Sequence, residues 1–153
     1  MENKEIENDE SKDMEKEIIK KEELTIFNGN NTIKYCSKKV IDEQEKKELF
    51  NALESCDVLL NDCAGQEIEI KDVYIEEREV IDEETGEIKP KYRTIIFDKN
   101  GKTYVTTSYG IINVLNKIFQ VYGFPTGWKK PLKVKVLKKS IGNDKQILTL
   151  ILV

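Results

Sequence analysis

A strand that bends along its own length is the feature of this 153-residue chain that most limits its fold. In the stretch 67–75 polar and apolar residues alternate, so Ile68 and Ile70 share one face of a predicted strand. The alternation then slips by one residue, and Val73 and Ile75 continue the apolar face. Such a slip is typical of a β-bulge, which bends a strand and increases its twist. The pattern therefore predicts a bent strand, which favours a barrel over a flat sheet.

The residues after this strand predict two more strands, a helix and a closing hairpin. The stretches 89–97 and 102–107 read as strands, and Asn100-Gly101 between them is a strong signal for a tight turn. Apolar residues at helical spacing follow from Ile111 to Phe119, after a Thr or Ser that can cap a helix. The last two predicted strands are 132–136 and 146–153, joined by a turn at 142–144.

A three-stranded meander, then a helix, then a hairpin is the plan of the OB-fold, a five-stranded barrel. We therefore predict a mainly β protein with one or two helices, in which residues 66–153 form an OB-fold nucleic-acid-binding domain. The alternative is another small α+β sheet with one helix. In OB-folds an oligonucleotide lies across the second and third strands and against two of the loops.

Two segments precede this predicted domain. Residues 1–22 are nearly all charged or amide residues, and so few apolar side chains predict a disordered acidic arm. Residues 23–65 are predicted to form an N-terminal extension made of a hairpin and a helix. The hairpin should turn at Asn28-Gly29, and Asp42 should cap the helix with Glu45 as its reciprocal partner.

Charge divides the chain into an acidic front and a basic end. Residues 1–23 carry a net charge of −5 and residues 24–98 a net charge of −8, whereas residues 99–153 carry +9 with Asp144 as their single acid. Six of the twelve aromatic residues lie in this basic end. Lysines attract phosphates and flat rings stack on bases, so the pattern predicts a nucleic-acid strand as partner. The alternative is a solvated lysine face over a core of aromatic rings.

The composition argues against catalysis, metal binding and membrane insertion. The chain has no histidine, so Ser–His and Cys–His activation of a nucleophile are unavailable. Its three cysteines include no CxxC pair and cannot supply the four ligands of a zinc site, so we expect free thiols in a reducing cytoplasm. We therefore predict no enzyme, no metal and no cofactor. No run of 18 apolar residues or signal-peptide core occurs in the sequence.

Candidate contacts to nucleic acid lie on the predicted strands and in the loop before the fourth strand of the barrel. Strand alternation places Tyr92 and Phe97 on opposite faces, and we assign Tyr92 to the surface and Phe97 to the core. Tyr74 and Tyr104 could lie on either face, and Trp128, followed by two lysines, could be a lid or part of the core. The candidate nucleic-acid-binding residues are Tyr74, Tyr92, Arg93, Lys102, Tyr104, Trp128, Lys133 and Lys135.

Several stretches of the second half carry a resemblance to a known family. They are the run Glu67-Ile-Glu-Ile70, the hairpin from Tyr92 to Tyr104, and the strands Pro131–Val136 and Leu148–Val153. Residues 67–153 resemble the small phage single-stranded DNA-binding proteins, similar to those of protein-primed Bacillus phages. The resemblance implies an OB-fold and sequence-tolerant binding of single strands during replication. Unlike cellular single-strand binders, the chain ends without an acidic tail, so we do not expect partner recruitment through one.

The sequence therefore predicts a non-catalytic, non-sequence-specific single-stranded DNA-binding protein of a phage or mobile element. It would protect displaced strands during replication in the cytoplasm of the bacterial host. A second copy of the chain and a replication protein are further candidate partners. The alternatives are a protein–protein interaction module using the acidic front, or a single-stranded RNA binder of the same fold. The acidic arm is predicted to be a solubility tail, an internal DNA mimic or a partner contact.

Overall fold

A computed structural model describes residues 31–153 and shows a mainly β protein with two helices. Short 3-10 turns at Leu60–Cys63 and Pro125–Gly127 connect some of the elements. The mixed sheet curls into a half-barrel, so the predicted OB-like fold is confirmed. The elements are β1 (Asn31–Cys36), α1 (Glu43–Glu54), β2 (Val58–Leu59), β3 (Glu67–Ile81), β4 (Ile88–Asp98), β5 (Thr103–Thr106), α2 (Tyr109–Tyr122), β6 (Leu132–Ser140) and β7 (Gln146–Leu152).

The strands form a single sheet in which every pair except β2–β5 is antiparallel. The order is β2-β5-β4-β3-β6-β7, with β1 paired to β3 as well. Strand β2 pairs with β5 in parallel, through Val58 opposite Tyr104 and Leu59 opposite Val105. The meander β3-β4-β5 and the hairpin β6-β7 therefore follow the strand order predicted from the sequence.

The predicted bend in β3 is confirmed. The pairing register between β3 and β4 shifts between Ile70 and Asp72, at the position where the sequence alternation slips. Before the bulge β3 pairs with β6, and after it the same edge of β3 pairs with β1. One edge of β3 therefore pairs with two different strands, one before the bulge and one after it.

Helix α2 packs on the inner face of the curled sheet, which is the face that carries Ile70, Val73 and Ile96. Its buried residues Ile111, Leu115 and Ile118 recur at helical spacing and belong to the same core cluster. A Cβ added to Gly110 would collide with the backbone carbonyl oxygen of Leu148 in β7, so the start of α2 lies directly on this strand. Burial of this apolar stripe is the main force that holds α2 on the sheet.

Helix α1 packs on the opposite, outer face of the sheet. Its Ala52 is buried in a second cluster with Tyr74, Ile95 and Phe97, and Leu49 and Leu53 pack against the cluster. The predicted reciprocal cap is present, since Asp42 accepts from the backbone of Glu45 and Glu45 accepts from the backbone of Asp42. The helix that the sequence predicted is therefore confirmed. Its place on the outer face could not be read from local pattern.

Residues 31–65 are built into the same sheet as the rest of the described chain. Strand β1 pairs with β3, and the Asp57 carboxylate accepts from both the backbone N–H and the hydroxyl of Thr103 in β5. The predicted domain boundary after residue 65 stays a prediction. The predicted hairpin turn at Asn28-Gly29 and the arm 1–22 lie outside the described residues. No helix within residues 31–153 is long and apolar enough to span a membrane.

Candidate nucleic-acid interface

Helix α1 covers the surface on which OB-folds bind their ligands. That surface is the outer face of the second and third barrel strands, which here are β4 and β5. Ile95 and Phe97 of β4 are buried beneath α1, and Val105 of β5 packs against the same cluster. The assignment of Phe97 to the core is therefore confirmed, although α1 rather than the barrel interior buries it.

Tyr74 belongs to this covered surface, so the structure corrects the expectation that it could lie outside. Its side chain is only 2% exposed, because the bulge turns it to the outer face and α1 then covers that face. The Tyr74 hydroxyl donates to Glu76 Oε2 over 2.8 Å. Burial and the neighbouring carboxylate raise the pKa of Tyr74, which keeps the hydroxyl protonated and able to donate. Its ring is not available to stack on a base in this conformation.

Arg93 makes internal contacts instead of facing solvent as a ready phosphate ligand. Its Nη1 lies 3.3 Å from Glu76 Oε1, and its Nη2 donates to the backbone carbonyl of Leu53. Leu53 lies in the last turn of α1, where carbonyls lack partners within the helix. Arg93 therefore anchors the end of α1 to the sheet, and only 28% of its side chain is exposed.

The β4–β5 turn holds two more of the predicted residues. Lys102 is exposed, and its Nζ lies 5.5 Å from the centroid of the Tyr104 ring. Tyr104 itself is 6% exposed and packs in the inner core with Ile96, so the structure places it in the core and not on the surface. Burial raises the pKa of Tyr104, and its hydroxyl donates to Asp98 Oδ2 over 3.4 Å.

Tyr92 lies at the rim of the inner face and is half-buried there, and its assignment to the binding surface stays a prediction. Its ring meets that of Tyr109 edge-on at a centroid distance of 5.8 Å. The Tyr109 hydroxyl donates to the backbone carbonyl of Pro90, which fixes the start of α2 against β4. Glu77 lies directly opposite Tyr92 in β3, so this pair of rings sits beside a carboxylate.

Lys133 and Lys135 project from the outer face of β6. Val134 and Val136, which alternate with them, are fully buried in the inner core. In register, Lys133 lies opposite Glu69 of β3, and Lys135 lies opposite Glu67. The Nζ of Lys133 is 3.2 Å from Glu67 Oε2. Lys139, exposed further along β6, continues the row, which we call the β6 lysine row (Lys133, Lys135 and Lys139).

Trp128 is half-buried in a group of rings that sits between α2 and β1. Its indole Nε1 donates to the backbone carbonyl of Gly123 over 3.0 Å, and its ring centroid lies 6.4 Å from that of Phe119. Phe119 also contacts Phe124 and Tyr35, at centroid distances of 5.4 and 5.5 Å. These four rings, the aromatic cluster, are Tyr35, Phe119, Phe124 and Trp128.

The structure does not bring the eight predicted residues onto one surface. Tyr74 and Arg93 lie under or beside α1, Lys102 and Tyr104 lie at the β4–β5 turn, and Tyr92 lies at the inner rim. Trp128, Lys133 and Lys135 lie on the stretch of chain that leads into and along β6. Sequence reasoning missed the exposed rings of Tyr122 and Phe124, although their place at a helix end marked by Gly123 and Pro125 was a signal for exposure.

A groove of about 520 Å³ separates α1 from the β4–β5 turn. Three lysines line it together with four carboxylates, so its net charge does not favour an anion. Among residues 31–153, no cluster of three or more acidic or cysteine side chains could hold a metal ion. The groove lining that carries charge is Lys38, Glu48, Asp57, Lys71, Asp72, Asp98 and Lys99.

Comparison with known proteins assigns the chain to a family. The family model described as Phage Single-stranded DNA-binding protein matches residues 28–153. No curated protein and no solved structure matches the chain. The match covers every described strand and helix, including β1 and α1. The chain therefore belongs to the phage single-stranded DNA-binding protein family, and its partner is single-stranded DNA.

Proposed function

We propose that this protein coats single-stranded DNA without regard to sequence and protects displaced strands during replication of a phage or mobile element. It would act in the cytoplasm of the bacterial host and without catalysis. The observation that carries the proposal is the β6 lysine row, which lies on a face of the sheet that α1 does not bury. Lysines bind phosphates as point charges and read no base edges, which suits a sequence-tolerant binder.

The β6 lysine row continues a run of lysines that begins before the strand. Lys129 and Lys130 are exposed immediately upstream of β6. An extended chain rises about 3.3 Å per residue, so same-face side chains recur about every 6.6 Å along β6. A DNA strand lying along this line would meet Lys133 and Lys135 in succession through its phosphates, and Lys139 after the half-buried Leu137. Residues 99–143 contain no acid that could compete with the phosphates from within this part of the chain.

Two ion pairs with β3 moderate the charge of this face. Lys133 pairs with Glu67, and Lys99 of the β4–β5 turn pairs with Glu69 at 2.5 Å. Both pairs are exposed, so each contributes little to stability and can be exchanged at low cost. A phosphate can therefore replace either carboxylate as the partner of the lysine, which would keep DNA binding reversible. Reversibility is what a coating protein needs when a polymerase follows.

Titration of a labelled dT oligomer, with matched RNA and duplex DNA as competitors, tests the proposal. We expect tight binding of the single DNA strand and weaker binding of the duplex. With four basic residues in contact, the slope of log affinity against log salt should be about −3. Binding that is absent at low salt would refute the proposal, and preference for RNA would favour the RNA-binding alternative.

The double variant Lys133→Ala/Lys135→Ala tests whether the β6 lysine row is the contact. It should flatten the slope by about 1.4, because each lost phosphate contact removes about 0.7. Lys89→Ala is the matched control, since Lys89 is an exposed strand lysine far along the β3–β4 hairpin and pairs with Asp82 at 3.8 Å. An unchanged slope in the double variant would place the DNA elsewhere.

A further inference from the structure

We propose that Phe124, packed against Tyr35 and Phe119, forms with Tyr122, Lys129 and Lys130 a stacking platform for the bases of single-stranded DNA. We call these four residues the stacking platform. The inference rests on the proposed function and gives it a place where bases, rather than phosphates, are held. The platform lies at the end of α2 and not on the outer face of β4 and β5, which α1 covers.

The first argument is that Phe124 is exposed yet held in place. Its ring is 56% exposed, while its centroid lies 5.2 Å from that of Tyr35 and 5.4 Å from that of Phe119. Pro125, which is buried, directly follows it and restricts the backbone at the start of a 3-10 turn. A ring that is already fixed loses little conformational freedom when a base stacks on it. Tyr122, 50% exposed, adds a second ring at the last position of α2.

The second argument is charge. Lys129 and Lys130 are exposed, and neither forms an ion pair within residues 31–153. In β1, Lys34 directly precedes Tyr35 of the aromatic cluster, and it pairs with Glu77 of β3 at 2.8 Å. Exposed rings and unpaired lysines within one stretch of nine residues (122–130) suit a ligand that is both flat and anionic, which is the chemistry of a nucleic-acid strand.

The third argument is continuity with the β6 lysine row. Lys133 lies five positions after Trp128, a span of at most about 18 Å even when the chain is fully extended. A strand whose bases stack on Phe124 can therefore bring its next phosphates to the β6 lysine row within a few nucleotides.

Binding of a dT oligomer by full-length Phe124→Leu tests the platform. Leucine keeps an apolar side chain against Tyr35 and Phe119 but cannot stack, so the affinity should fall at least about fivefold and by as much as about 140-fold. Phe124→Tyr should bind as the wild type does, because the ring is kept. Phe50→Leu is the matched control, since Phe50 is 65% exposed but lies on the acid-rich helix α1. It should leave the affinity unchanged.

The single tryptophan of the chain supplies a readout that needs no variant. Trp128 shares the aromatic cluster with Phe124, so stacking of bases on the platform should change its fluorescence emission as dT is added to the wild type. If the wild type binds dT but the Trp128 emission and the Phe124→Leu affinity are both unchanged, the platform is refuted and the proposed function survives. If the wild type does not bind dT at all, the proposed function fails and the platform with it.

Discussion

At the scale of single residues, the outcome for each predicted contact depended on what covers the two faces of the sheet. Strand alternation is a local property, and it correctly puts Tyr92 and Phe97 on opposite faces of β4, although Phe97 lies on the outer face and Tyr92 on the inner one. It could not separate Tyr74 from Tyr92, since burial of Tyr74 comes from a helix twenty or more residues earlier in the chain. The sequence predicts that Arg93 is a phosphate ligand, but in the fold its guanidinium binds Glu76 and the end of α1.

Tyr74→Phe separates the structural role of this tyrosine from a role in DNA binding. The substitution removes the hydrogen bond to the buried Glu76 and should destabilise the protein by about 1 kcal/mol, measured by denaturant unfolding. Arg93 still pairs with Glu76, which limits the loss. Affinity for dT should not change, because the ring does not reach solvent. If the variant lost affinity for dT while its stability stayed unchanged, Tyr74 would be a DNA contact. Helix α1 would then have to move when DNA binds.

At the scale of elements, local signals predicted the helices and the meander but not how they pack. The capping box of α1 and the Asn-Gly turn between β4 and β5 each lie within a few residues of sequence, and both elements formed where expected. The parallel pairing of β2 with β5 joins residues more than 40 positions apart, and no short-range pattern marks it. The same is true of the contact between α2 and β7, which depends on one glycine.

Gly110→Ala tests that contact. A methyl group at Gly110 would collide with the backbone carbonyl of Leu148, so α2 must shift away from β7. We expect a destabilisation of about 1–3 kcal/mol, as for other overpacked sites, even though alanine favours a helix more than glycine does. Gly127→Ala is the control, because nothing lies within 4 Å of a Cβ there, and its stability should stay within about 0.5 kcal/mol of the wild type. Equal stability of the two variants would show that α2 is free to shift.

At the scale of the whole molecule, the sequence predicted the binding partner better than it predicted the surface of the protein that binds this partner. The excess of lysine in residues 99–153 is a composition signal and needs no three-dimensional information. The position of the DNA does need it, since the general OB-fold plan points to β4 and β5, and helix α1 occupies that face here. The acidic residues 1–22 carry charge opposite to that of the basic end. Their effect on the affinity for DNA can be measured by deleting them.

Deletion of residues 1–22 removes nine acids and five lysines, a net charge of −4. If these acids compete with DNA for the basic end, the shortened protein should bind dT more tightly at low salt. The gain should shrink as salt rises, because exposed charges are screened beyond about 10 Å at 0.1 M. Thermal stability should not fall, since few apolar side chains are removed. A full-length variant with these nine acids changed to Asn or Gln is the control for length. It should bind dT at least as tightly as the shortened protein does. Equal affinity of all three proteins at every salt concentration would leave the segment a role in solubility or partner docking.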